Sequence, residues 1–207
     1  MAIDTKTVME VRAMTGAGIV DCKNSLVEND GDVTKAVEAL RKKGLAKAAT
    51  KGSRVTKEGL VHAYIHPNNK LGVLVEVQCE TDFVARTEGF VQFVHDIAMQ
   101  IAATNPLYLS PDQIPPEVVA KEREIAMDEF AGSSKPAEVI AKIAEGKLAK
   151  YYEDVCLLNQ RFIKDEDQTI EAMLKNKIAT TGENMKIVRF VRFNLEAAPV
   201  ADECCEA

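Results

Sequence analysis

Residues 59–80 read GLVHAYIHPNNKLGVLVEVQCE. Two runs rich in β-branched and aromatic residues flank PNNK (67–70), whose Pro and paired Asn suit a tight turn. The stretch therefore predicts a β-hairpin with strands 59–66 and 71–80. In the second run Leu71, Val73, Val75, Val77 and Cys79 share one face. Gly72, Leu74, Glu76, Gln78 and Glu80 share the other, the pattern of a half-buried strand. A further strand is predicted at MKIVRFVRFNL (185–195), with Ile187, Val191, Phe193 and Leu195 pointing one way and Val188 and Phe190 the other. A strand apolar on both faces needs cover on both, from helices or from another subunit. Helical patterns surround these strands without alternating with them, which predicts an α+β fold with an antiparallel sheet.

Upstream of the hairpin, three short helices are predicted within residues 4–43. Thr7 and Glu10 have capping-box spacing at the first start, and Val8, Val11, Arg12 and Met14 suit an amphipathic segment ending at TGAG (15–18). The second helix carries Ile19, Cys22, Leu26 and Val27 on its apolar face. NDGD (29–32) forms a turn and an Asp N-cap for the third, which carries Val33, Ala36, Val37 and Leu40 and ends with basic residues and Gly44. Three helices of this size make a marginal core alone, so a small recognition module attached to something larger is expected. Downstream, Phe90, Val94, Ile97 and Ile101 mark one face of a helix over 87–103. SPDQ (110–113) starts a short helical turn, and helices follow at 116–130, 136–153 and 167–179.

The junction TDFVAR (81–86) joins the hairpin to the helix over 87–103 and puts an acid beside a large ring where the chain turns. Two readings stand. In one, Thr81 or Asp82 caps the turn and Phe83 enters the core, the ordinary fate of an aromatic side chain. In the other the ring is held outward at a strand end, ready to enter a partner's pocket with little entropic loss.

Composition narrows the chemistry. With 46% hydrophobic and 28% charged residues, a packed core is expected. No apolar run approaches the roughly 20 residues of a membrane span. The N-terminus lacks the apolar region of a secretory signal, and a cytosolic location is expected. The five cysteines are scattered, with one adjacent pair at Cys204–Cys205, and suit buried thiols better than a disulfide framework. His62 and His66 lie roughly 13 Å apart along a strand, too far for one metal ion, so no metal or cofactor is expected. TGAG lacks the third glycine and the preceding strand of a dinucleotide loop, and direct nucleotide binding is not expected. It reads as a tight helix–helix turn whose exposed backbone a partner can approach. No Ser/Cys–His–acid set supports hydrolysis, and covalent catalysis is not expected. The net charge is −6, yet residues 41–57 hold seven of the 26 basic residues and none of the 32 acidic ones. That block reads as a solvated, partly helical linker. The rival reading is a ribosome- or RNA-associated protein that uses 41–57 on phosphates, although nucleic acid is not the expected partner.

Several stretches together resemble the bacterial-type elongation factor Ts family, exchange factors for the translational GTPase EF-Tu. They are MTGAGIVDCKNSL (14–26), GDVTKAVEALRKKG (31–44), VEVQCETDFVAR (75–86), GKLAKYYEDVCLLNQRFIKD (146–165) and the final strand. The resemblance runs over residues 3–195. It implies a UBA-like three-helix module over 1–44 that grips EF-Tu, with Val11, Arg12, Thr15, Gly16, Ala17, Gly18 and Lys23 as contact candidates. It implies a basic linker over 45–57 with Lys51 as a further candidate, a core over 58–195 for exchange and dimerisation, and a loose tail over 196–207. It reverses the ordinary reading of Phe83. Asp82 and Phe83 are implied to wedge into EF-Tu near its nucleotide and Mg²⁺ site, with Thr81 and Asp82 fixing the loop and Val84 backing the ring. With room for one core copy, the chain resembles the family's short form, which implies a homodimer through the core sheet around 185–195.

Overall fold

The computed structural model describes residues 3–130 and 136–195. The tail expected over 196–207, with Cys204 and Cys205, lies outside the described residues. Helices α1 (Thr5–Thr15), α2 (Ile19–Glu28) and α3 (Val33–Lys51) precede strands β1 (Glu58–Ile65) and β2 (Leu71–Cys79). Then come a single turn α4 (Asp82–Ala85) and α5 (Glu88–Thr104), a 3₁₀ turn at Pro111–Gln113, and α6 (Pro116–Asp128) and α7 (Ala137–Val155). The chain closes with β3 (Arg161–Phe162), β4 (Asp165–Thr169), α8 (Ile170–Thr181) and β5 (Met185–Asn194). One sheet is three-stranded in the order β1-β2-β5, and a small one pairs β3 with β4. The expected α+β class with a three-stranded antiparallel sheet is borne out.

The residues group into two compact units. Among the described residues the first comprises 3–60, Val77–Val91 and Glu171–Ile187, and the second Val61–Glu76, 92–130, 136–170 and 188–195.

In the first unit α1, α2 and α3 enclose a core of Val8, Val11, Cys22, Leu26, Ala36, Val37 and Leu40, with Ile3, Ala17 and Val33 packed against it. Asp4, not Thr7, caps α1, its carboxylate accepting from the Lys6 amide at 3.3 Å. An anion one turn earlier meets the free amides and the positive helix end together, which outweighs the spacing signal at Thr7 and Glu10. Asp32 caps α3 as expected, accepting from the Lys35 amide at 3.1 Å, and that bond first of all holds its carboxyl below the usual range. Ile19 and Val27, expected in the core, are exposed together with Met14 and Val20. On a helix packed mainly by α1 and α3 the buried stripe is narrow, and Cys22, Ser25 and Leu26 fill it.

Gly44 does not end the third helix, which runs on to Lys51. Its role is contact: a β-carbon added there would lie 3.1 Å from Ala179 Cβ on α8. A glycine inside a helix costs about 1 kcal/mol, and close packing of two helices offsets it.

In the second unit Phe93, Val94, Ile97, Ala98 and Ile101 of α5 are buried, as are Val73 and Val75 of β2. Gln100 and Gln160 are buried with every polar atom partnered. Gln100 donates to Gln160 Oε1 and to the Arg161 carbonyl and accepts from the Ile163 amide, while Gln160 donates to the Asp154 carbonyl. Residues 167–169, expected in a helix, belong to β4. Asp165 turns the chain there, its carboxylate accepting from the Asp167 amide and from Gln168 Nε2, and a run of exposed polar residues gave no alternation to read. His62, on β1, meets His95 of α5 with 3.1 Å between ring nitrogens, and desolvation, then the neighbouring ring, pushes its pKa down.

Burial along 185–195 changes part-way. Met185 and Ile187 are buried, Val188 and Arg189 are both exposed, and thereafter Val191 and Phe193 are exposed. Arg189 pairs with Glu76 on the open face of the sheet, whereas Arg192 Nε donates to the Ala102 carbonyl of α5.

Candidate functional site

Phe83 stands outward and does not enter the core: it is 83% exposed. Seven residues on, Phe90 is fully buried, so the exposure belongs to this position and not to a loose packing of the region. The cause lies in the loop. Thr81 stands in extended conformation and caps α4, its hydroxyl accepting from the Val84 amide at 3.4 Å. The carbonyl of Thr81 accepts from the Cys79 thiol at 3.1 Å and from the Ala85 amide at 3.2 Å. Ala85 is buried and Val84 half-buried, which leaves the side of the turn bearing Phe83 open to solvent. Asp82 pairs with Arg86 at 3.0 Å one turn on. Thr87 ends the loop, its hydroxyl donating to the Val84 carbonyl and accepting from the Phe90 amide at the start of α5.

Two residues that sequence reasoning did not single out clamp this loop from the turn before β5. Glu183 accepts from the Thr81 hydroxyl at 2.7 Å and from the Thr81 amide at 3.0 Å. Asn184, almost fully buried, donates its amide N–H to Glu80 at 2.6 Å and its side-chain N–H to the Arg54 carbonyl at 2.8 Å. The available signal was polar residues directly after Gly182 at the mouth of an apolar strand, which is too common to point anywhere by itself.

The candidates on the N-terminal helices fall into three groups. Val11 is fully buried in the three-helix core, so its side chain is structural. Arg12 and Lys23 are exposed. Thr15, Gly16, Ala17 and Gly18 form the α1–α2 turn. Thr15 Oγ1 donates to the Val11 carbonyl at 2.7 Å and accepts from the Ala17 amide at 3.3 Å. Gly16 caps α1 with φ +67°, a torsion that a β-carbon disfavours, and such an atom would also lie 2.9 Å from Thr180 Cγ2. Gly18 is the N-cap of α2. Met14, Ile19 and Val20 surround this turn with exposed apolar surface, Val20 at 71%.

Lys51 lies at the end of α3 and donates to the Gly182 carbonyl at 2.7 Å. Within the basic block, Lys43 pairs with Asp21 at 3.8 Å and Arg54 with Glu80 at 3.5 Å. Three of its cations thus have partners inside the protein, which lowers what the block offers to a phosphate backbone. Cys22, Cys79 and Cys156 are buried, as expected. Burial pushes the Cys156 thiol up to about 11 and raises that of Cys79 as well, so neither is a thiolate nucleophile near neutral pH. Among the described residues, no helix is long and apolar enough to cross a membrane, and no group of His, Cys, Asp and Glu is placed to hold a metal ion.

Comparison with known proteins gives a consistent result. The family profile described as Elongation factor TS matches residues 10–197. Elongation factor Ts of Fervidobacterium nodosum is 51% identical over 195 residues, which cover 94% of this chain and 99% of that protein. The protein of the same name from Caldanaerobacter subterraneus subsp. tengcongensis is 52% identical over 191 residues, covering 92% of this chain and 96% of that one. That from Carboxydothermus hydrogenoformans is 52% identical over 193 residues, covering 93% and 89%.

Proposed function

This chain belongs to the elongation factor Ts family, and on that footing we propose that this translation elongation factor binds EF-Tu·GDP in the cytosol and promotes release of GDP by inserting Asp82 and Phe83 beside the nucleotide and Mg²⁺ site. The observation that carries the reading is the exposed ring of Phe83 on a capped, clamped turn.

A GTPase holds GDP through phosphate-loop amides and a bridging Mg²⁺. A ring forced between the elements that position the metal weakens both grips. Thr81 holds the base of the turn, Val84 backs it, and Asp82 stays within reach of Arg86, so little freedom is lost when the ring is buried in a partner. The apolar surface around Thr15–Gly18, flanked by Arg12 and Lys23, supplies a second grip that keeps the factor on the empty GTPase until GTP binds. No bond is made or broken in the exchange.

Linkage supplies the test. If the factor prefers nucleotide-free EF-Tu by some factor, GDP must weaken factor binding by that same factor. Calorimetry should show the affinity for EF-Tu falling at least about 10-fold in excess GDP, each decade being about 1.4 kcal/mol. An affinity indifferent to GDP would remove the proposal.

The chain also acts as a homodimer in this reading. Val61, Ile65, Leu74, Val191 and Phe193 are exposed on the open face of the second unit's strands, with Leu195 beside them at 78%. A contiguous apolar face of this kind calls for cover, and a second copy of the same sheet is complementary to it. Sedimentation at micromolar concentration should give a dimer, and Phe193→Asp should return it to the 22.7 kDa monomer. A monomeric wild-type protein would refute the assignment.

A further inference from the structure

The turn α4 has four residues, too few to hold a helix by its own hydrogen bonds. What aims Phe83 must therefore come from outside the turn. The strongest anchor is Glu183, which gives one carboxylate oxygen to the Thr81 hydroxyl and the other to the Thr81 amide. The two bonds fix Thr81 in two directions. The first has a further consequence. The hydroxyl has one proton, and donating it to Glu183 turns an oxygen lone pair toward the Val84 amide, which is the cap of the turn. Without the carboxylate the hydroxyl is free to rotate, and the cap and the direction of the turn loosen together.

The neighbouring bonds show why the anchor is stiff. Asn184 grips Glu80 and the Arg54 carbonyl, and the Gly182 carbonyl accepts from Lys51. Three consecutive residues thus tie the end of α3 and the root of the Phe83 turn to one point. We infer that Glu183 is a positioning residue for nucleotide exchange: it sets the aim of Phe83 through Thr81 without itself touching EF-Tu. The inference rests on the proposal that Phe83 enters the partner.

The test separates the two ideas. Glu183→Gln keeps the shape but removes the charge and puts an amide NH₂ where one acceptor stood, so the Thr81 hydroxyl loses its carboxylate acceptor and its proton is no longer held away from the Val84 amide. GDP release from EF-Tu is followed by stopped flow with a fluorescent GDP over a range of factor concentrations. The maximal rate should fall about 10-fold, the effect of a lost charge-assisted hydrogen bond expressed at the barrier. The half-saturating concentration should stay within about twofold, because the grip around Thr15–Gly18 is untouched. Thr81→Ser, which keeps the hydroxyl, should exchange at the wild-type rate, and Thr81→Val should reproduce the loss. In a Phe83→Ala background, Glu183→Gln should cost nothing further, since there is no ring left to aim. A purely structural role would give the same loss in both backgrounds and would overturn the inference. So would wild-type rates for Glu183→Gln or Thr81→Val beside a slow Phe83→Ala. If Glu183→Gln fails to fold, the Thr81 pair decides alone. Wild-type exchange by Phe83→Ala would instead bring down the proposed function on which the inference rests.

Discussion

Phe83→Ala should leave the protein as stable as the wild type and slow GDP release from EF-Tu about 100-fold, a loss of about 2.7 kcal/mol at the barrier. The two halves of that expectation have one cause. A side chain that is 83% exposed has little burial to lose on truncation, and substitutions of that kind stay within about 0.5 kcal/mol in stability. The same ring in a partner's pocket recovers the transfer energy of a buried Phe, about 2–3 kcal/mol, and Ala recovers almost none of it. If that energy opens the nucleotide site, its loss appears in the maximal exchange rate. The check is a thermal melt beside a stopped-flow release experiment. An unchanged melt with unchanged release would leave the exposed ring without a purpose and reject the wedge.

How far all this was legible beforehand depends on what kind of contact made each feature. The hairpin over 59–80 could be read because β-branched residues alternate on both sides of a recognisable turn. The buried face of α5 could be read because Phe90, Val94, Ile97 and Ile101 recur at helical spacing. Both are local patterns. The continuation of α3 through Gly44 could not be read locally, because the glycine is there for Ala179, far along the chain. The change of burial along β5 was hidden because Ile187, Val191 and Phe193 look alike in sequence whatever covers them. For Phe83 the residues alone favoured the core. The family resemblance favoured the surface, and the surface is where the ring stands. Glu183 was the least visible residue of the site. A lone acid in an acidic chain carries no signal until the fold brings it against Thr81, 102 positions away.

The second large effect is expected on the N-terminal helices. Removing residues 1–44 would be the blunt way to test the N-terminal helices, but it would also strip Gly16 from Thr180 and Gly44 from Ala179. Lost affinity would then be mixed with damage to α8, which precedes the Glu183 turn. Val20→Asp avoids this. Val20 is 71% exposed, so no core contact is lost. It sits in the first turn of α2, where a carboxylate is favoured by the unpaired amides and the helix dipole and Val is a poor helix former. The change should leave the melting temperature unaltered or slightly raised. At an interface it puts a charge into the apolar surface shared with Met14 and Ile19, and a desolvated, unpaired charge at a contact centre costs at least about 2 kcal/mol. The half-saturating concentration for EF-Tu should therefore rise about 30-fold or more, while the maximal rate of GDP release stays within about threefold. This is the reverse of the pattern for Phe83→Ala, and the contrast tests the division of labour itself. In the proposed division one element holds the GTPase and the other opens it. A Val20→Asp protein that binds as tightly as wild type would show that the exposed apolar rim of the first helices is not the gripping surface. If it instead lost maximal rate at unchanged affinity, the roles of the two elements could not be separated in this way.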